Sequence, residues 1–232
     1  YPTSSMTAAR RDRTFERLRK FVPAEVAVFG EAPFRNYTIF QRSDTLVNGG
    51  GLEQQSSQVD EVLTSQLDAP WLPGLYSHEF FHAWNVKRLR PADLVPYRYD
   101  DAQPTTWLWV SEGITDYYAD LAMVRSGVAP DQMFYQNTSG KVANVEGVPA
   151  VALEDASVSN WIHPRDGTDA IYYPKGSLAG FMIDIMIRDA TDNKHSLDNV
   201  MRDVYQASYK TNRGFTFDDW WVAVSRGANG KS

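Results

Sequence analysis

The chain has 232 residues, 43% hydrophobic and 22% charged, with 12 Tyr and 7 Trp, a composition that folds and excludes a disordered chain. A formal charge of -6 argues against a nucleic-acid partner. The absence of cysteine excludes disulfides and thiolate metal sites, so a metal here would need His and carboxylate ligands.

No apolar run approaches membrane-spanning length, and the start lacks the charged, apolar and small-residue order of a secretory signal. The chain opens on Tyr1 rather than Met and reads as a piece whose address signals lie elsewhere. Residues 8–22 have the pattern of an amphipathic helix. Phe15, Leu18 and Val22 form its apolar side, and Arg10, Arg11, Arg13, Arg17, Arg19 and Lys20, interrupted by Asp12 and Glu16, form a solvated face. Pro23 marks its expected end. Residues 26–29 and 37–40 read as short strands separated by Gly30 and Pro33. In residues 48–57, Gly49, Gly50 and Gly51 allow close approach of backbone to backbone or ligand, and the polar run after them reads as an exposed edge strand or loop.

Pro70, Pro73 and Gly74 break the chain before a helix that carries His78-Glu79-Phe80-Phe81-His82 and stops at Pro91. Leu75, Phe80, Phe81, Trp84 and Val86 spread apolar surface around most of its circumference, as in a buried helix. Two histidines four apart lie on one helix face and can reach one metal ion. Glu79 points elsewhere, beside the metal's open position, where a carboxylate can take a proton from water. A buried helix with two His and one Glu needs partners for them, and a metal with its water satisfies all three. The pattern is that of a zinc hydrolase.

A second long helix is expected over residues 105 to about 125. Residues 131–170 are weakly patterned, with one short helix and loops expected. Helices follow over residues 173–188, 196–207 and 216–225, the last opening on a Thr-x-x-Asp capping box. Strands come first and helices after, which makes the chain α+β: a mixed lobe over about residues 1–125, with the zinc helices, joined to a helical lobe over about 126–232. The third ligand is sought among carboxylates. His163 and His195 read as ordinary surface residues, while Glu112 closely follows the apolar run of residues 107–110, and Asp116 lies four residues later on the same face. One carboxylate can bind the metal while the other accepts the N–H of a ligating histidine.

The stretch from His78 to Pro91, followed by Trp109-Val110-Ser111-Glu112-Gly113, resembles the glycyl aminopeptidase family of zinc metallopeptidases. Gly50-Gly51-Leu52-Glu53 and Tyr172-Tyr173-Pro174-Lys175-Gly176 resemble two further segments of that family. The resemblance implies a thermolysin-like (gluzincin) fold, one Zn2+ held between the lobes by His78, His82 and Glu112, and Glu79 as general base. It also implies that Tyr173, with Tyr172 as its rival, donates to the oxyanion. Glu53, on the strand with Gly50 and Gly51, would bind the free N-terminus of a peptide substrate and so make the enzyme an aminopeptidase favouring small N-terminal residues such as Gly or Ala. Gln54 departs from the His or Asn that relatives tend to have. The family's N-terminal β domain and C-terminal PDZ domain are not visible, so the chain reads as the catalytic domain alone. A zinc endopeptidase remains open if Glu53 does not reach the substrate, as does a non-catalytic peptide-binding domain. Oligomeric state and compartment are left open.

Overall fold

The first helix, α1 (Ala8–Phe29), starts at Thr7, whose hydroxyl accepts the Arg10 N–H, and runs through Pro23 instead of ending there. Pro23 lies on the exposed side of the helix, while Phe21, Val28 and Phe29 are buried. Burying each large apolar side chain gains about 1.5–3 kcal/mol, enough together to outweigh the cost of about 3 kcal/mol of an interior proline. Residues 26–29, expected as a strand, are therefore the last turn of α1, which Gly30 closes in the left-handed conformation (φ 80°) with its N–H on the Val26 carbonyl.

The computed structural model describes residues 5–230. Among them, β1 (Thr38–Asp44), β2 (Gly50–Glu53) and β3 (Ser57–Leu63) form a three-stranded sheet in the order β1-β3-β2. The central β3 pairs parallel to β1 and antiparallel to β2, with Gly51 opposite Asp60 and Glu53 opposite Gln58. β2 is the expected edge strand. β3 was not anticipated, because its buried positions are Gln58, Asp60 and Val62, and two of the three hide the usual alternation.

The histidine-bearing helix α2 (Leu72–Phe81) is shorter than expected and places Pro73 in its first turn, where a missing N–H costs nothing. His82 is its C-cap, and tighter turns follow, with the Ala83 and Trp84 N–H groups on the Phe80 and Phe81 carbonyls at 3.0 Å. The helix is buried as expected. Phe81 stacks on Tyr118, and Trp84 stacks on Phe29 of α1. The second long helix is divided into a π-helical segment, Trp109–Ile114, and α3 (Thr115–Arg125). Residues 131–170 hold α4 (Asp131–Glu146) and α5 (Leu153–Ile162), more helix than their pattern promised. No residue of α4 is fully buried, so it lacks a clear apolar stripe. The helices α6 (Tyr172–Ala190), α7 (Leu197–Ser208) and α8 (Phe217–Gly227) fall close to expectation, and α8 has the capping box of Thr216 and Asp219. The mixed α+β architecture thus agrees with the sequence.

α6 packs against the π-helical segment through two glycines. A Cβ on Gly113 would lie 2.5 Å from the Gly176 Cα, and one on Gly176 would strike the Trp109 carbonyl oxygen. Backbone cannot yield as a flexible side chain can, so Gly176→Ala should destabilise the protein by about 1–3 kcal/mol. Gly140, exposed in α4 with nothing within 4 Å of a built Cβ, should gain about 0.4–1 kcal/mol as Ala. Urea unfolding of both variants checks the contrast; equal effects would contradict the close-packed interface.

Candidate active site

α2 delivers His78 and His82 from its last turn and C-cap, and the π-helical segment delivers Glu112. The two Nε2 atoms lie 3.1 Å apart, and Glu112 Oε2 lies 3.3 Å from His78 Nε2 and 3.2 Å from His82 Nε2. Ligand bonds of about 2.0–2.1 Å at tetrahedral angles set donor atoms about 3.3–3.4 Å apart, so the triangle is the size a metal ion requires. Two imidazoles and a carboxylate suit a borderline-soft divalent ion. These three residues could therefore hold the metal. Burial alone would push the Glu112 carboxyl up, but the facing charges and hydrogen bonds of His82 and His78 outweigh it and hold it well below the usual carboxylate range.

Each histidine is oriented from behind. His82 Nδ1 faces the Asn85 carbonyl at 2.6 Å, an arrangement that puts the proton on Nδ1 and leaves the Nε2 lone pair toward the site. His78 Nδ1 lies 3.6 Å from Asp116 Oδ1. The Ser77 hydroxyl donates to the buried Glu25 carboxylate, which comes from the part of α1 beyond Pro23. Asn85 also donates through Nδ2 to the Val110 carbonyl at 2.9 Å and to Thr115 Oγ1 at 3.1 Å, so one side chain fastens the turn after His82 to the strand of backbone that carries Glu112. Nothing in the sequence marks Asn85 for this role, because the signal is the full burial of its amide, which only the fold displays.

Glu79 projects from α2 beneath β2. A Cβ on Gly51 would collide with the Glu79 carboxyl group, so this glycine lets the edge strand close over it. Burial raises the Glu79 carboxyl above its ordinary range, against the pull of His82 and His78. The Tyr37 hydroxyl donates to the Glu79 backbone carbonyl at 3.3 Å. Glu53, at the other end of β2, comes within 4.8 Å of ligand atoms of Glu79 and His82. It also pairs with Lys87 at 3.0 Å, both side chains being largely enclosed. Lys87 stands in the resembling stretch, and nothing in the sequence assigned it to Glu53.

Tyr173, on the first turn of α6, has its ring 6.0 Å from that of His78, centroid to centroid. Burial, with Glu112 nearby, lifts its phenol far above the ordinary value, so it stays protonated and able to donate. Tyr172 is turned into the core, its hydroxyl 3.5 Å from Asn160 Oδ1 and its phenol pushed up to about 12 by burial. His163 is exposed, and His195 Nδ1 faces the Gly227 carbonyl at 3.0 Å; neither joins the cluster. A cavity of about 720 Å³ opens beside it, lined by Gly50, Gly51, His78, Glu79 and Tyr173 and extending over Trp71, Leu75, Met123 and Met133.

Residues 71–179 match the model of the M61 glycyl aminopeptidase family. A crystal structure of an aminopeptidase N family protein from Idiomarina loihiensis is similar over 90% of this chain, with a TM-score of 0.82 and 27% identity. This chain covers 38% of that protein's length. No curated protein matches.

The donor triangle should bind one equivalent of a divalent metal and resist heat better when loaded. Free metal at a hundredfold excess over its Kd should add about 2.7 kcal/mol of stability. His82→Ala should abolish the metal-dependent rise in Tm measured by calorimetry; a rise that survives would place the metal elsewhere.

Proposed function

Through residues 71–179 the chain belongs to the M61 glycyl aminopeptidase family, and from that premise we propose that it is a zinc aminopeptidase that removes small N-terminal residues such as Gly or Ala from peptides. The observation that carries this reading is the convergence of His78 Nε2, His82 Nε2 and Glu112 Oε2 within 3.1–3.3 Å of one another. The buried Glu79 carboxylate lies at the edge of the same group. On this reading the architecture is thermolysin-like, with the metal helices on one side of the site and the helical remainder of the chain on the other. The preference for small residues is supported by the family's name alone.

His78, His82 and Glu112 would hold one Zn2+, which supplies Lewis acidity that acidifies water and polarises a carbonyl. Glu79 takes the proton of the attacking water. Its raised affinity for that proton lets it keep the proton until the amine leaves and then deliver it there. The Tyr173 hydroxyl donates to the oxygen of the scissile carbonyl as negative charge develops on it. Glu53 binds the free N-terminal ammonium, which internal peptide segments lack. An ammonium already pairs with Glu53, that of Lys87, so the incoming amine shares or displaces it. The same pair favours a second reading, a zinc endopeptidase, in which Lys87 has neutralised Glu53 and the free amine is not sensed.

One substitution tests the general base and a second separates the two readings. Glu79→Gln should leave metal content unchanged while kcat falls by about 10²–10⁴-fold; a variant as active as its parent would refute the general-base role. Glu53→Gln should lower kcat/KM on free-amine substrates by roughly 10–100-fold, the worth of a hydrogen bond between charged groups, with little effect on N-blocked ones. Equal rates on both substrate types, before and after the change, would select the endopeptidase.

A further inference from the structure

Lys141 lies at the centre of a polar cluster outside the donor triangle. It rises from α4, the helix hidden in the sequence, and its side chain is only 14% exposed. Its ammonium lies 2.8 Å from Asp116 Oδ2, 2.6 Å from Asp120 Oδ2 and 2.7 Å from the Ser177 hydroxyl, which accepts from it. Asn137, one turn earlier on α4, donates to the other oxygen of Asp120 at 2.6 Å. An enclosed lysine with three acceptors has all its protons placed, and Asp116 and Asp120 hold it above its ordinary pKa against burial.

The cluster reaches the site by two routes. Lys141 engages Oδ2 of Asp116, while Oδ1 of the same carboxylate faces His78 Nδ1 at 3.6 Å. Asp116 borders the cavity, and without Lys141 nothing else among its described ion pairs would hold the Oδ2 atom. Ser177, meanwhile, sits on α6 one turn after Tyr173. A single ammonium thus joins α4, α3 and α6 at the point where the support of His78 and the approach of Tyr173 are both set.

We propose that Lys141 is a positioning residue, which fixes the Asp116 carboxylate toward His78 and locks α6 to α3, so that the donor triangle is preorganised for its metal. The proposal rests on the reading of His78, His82 and Glu112 as a zinc site. It assigns Lys141 no contact with substrate or metal. Loss of an orienting partner behind a ligating histidine ordinarily weakens metal binding by about 10–100-fold.

The test is zinc affinity by competition with a chromophoric chelator, for the parent protein, Lys141→Met and Lys141→Arg, with thermal unfolding of the metal-free forms beside it. Removing the lysine strands the enclosed Asp120 carboxylate, so the double variant Lys141→Met with Asp120→Asn supplies a fold-preserving companion. The expected result is a zinc Kd raised about tenfold or more in Lys141→Met and in the double variant, largely restored in Lys141→Arg, and with metal-free forms that still unfold cooperatively. Zinc bound as tightly as by the parent, or more tightly, in either Lys141→Met variant would overturn the proposal, since a merely structural lysine would change the melting temperature alone and one acting by charge withdrawal would change affinity in the opposite sense. A parent protein that binds no zinc would instead overturn the zinc site itself.

Discussion

Three side chains that have no reason to meet are held together. His78 Nε2, His82 Nε2 and Glu112 Oε2 approach one another to 3.1–3.3 Å, a convergence of polar atoms in a largely enclosed place that the surrounding structure has to hold in position. Packing around the site does this. Phe81 and Trp84, on either side of His82, are fully buried and stacked on Tyr118 and Phe29, so the segment that bears the second histidine is fixed by aromatic contact, and the site inherits its rigidity from the core.

The remaining features of the chain follow from keeping that triangle and its surroundings in register. The π-helical turn at Trp109–Ile114 is the kind of departure that accompanies functional sites in helices, and Asn85 spans from the turn after His82 to the carbonyl of Val110 and the hydroxyl of Thr115, tying the segments that carry His82 and Glu112 with one amide. Gly113 against Gly176 brings α6 close enough for Tyr173 to face His78, and Gly51 lets β2 lie over Glu79. Gly51, Gly113 and Gly176 are thus places where a backbone has to come nearer than a side chain would permit.

Much of the site was legible in the sequence because its signals are local. The His-Glu-x-x-His spacing needs only one helical turn, and Glu112 stood out as a charge at the end of an apolar run. The outlying parts were not legible, for physical reasons. Pro23 is tolerated because the buried Phe21, Val28 and Phe29 override it. β3 carries Gln58 and Asp60 on its inner face, and α4 leans on the molecule without a fully buried residue, so periodicity failed for both. Lys141 and Lys87 were invisible as partners of Asp116 and Glu53 because each pairing joins separate elements far apart in the chain, which only tertiary structure brings together.

The most direct test of the central claim is hydrolysis of glycine p-nitroanilide beside its N-acetylated counterpart, with and without a chelator and with zinc restored. A metallo-aminopeptidase should cleave the free amine alone, lose that activity to the chelator and regain it with zinc. Cleavage untouched by the chelator, or equal on the blocked substrate, would contradict it.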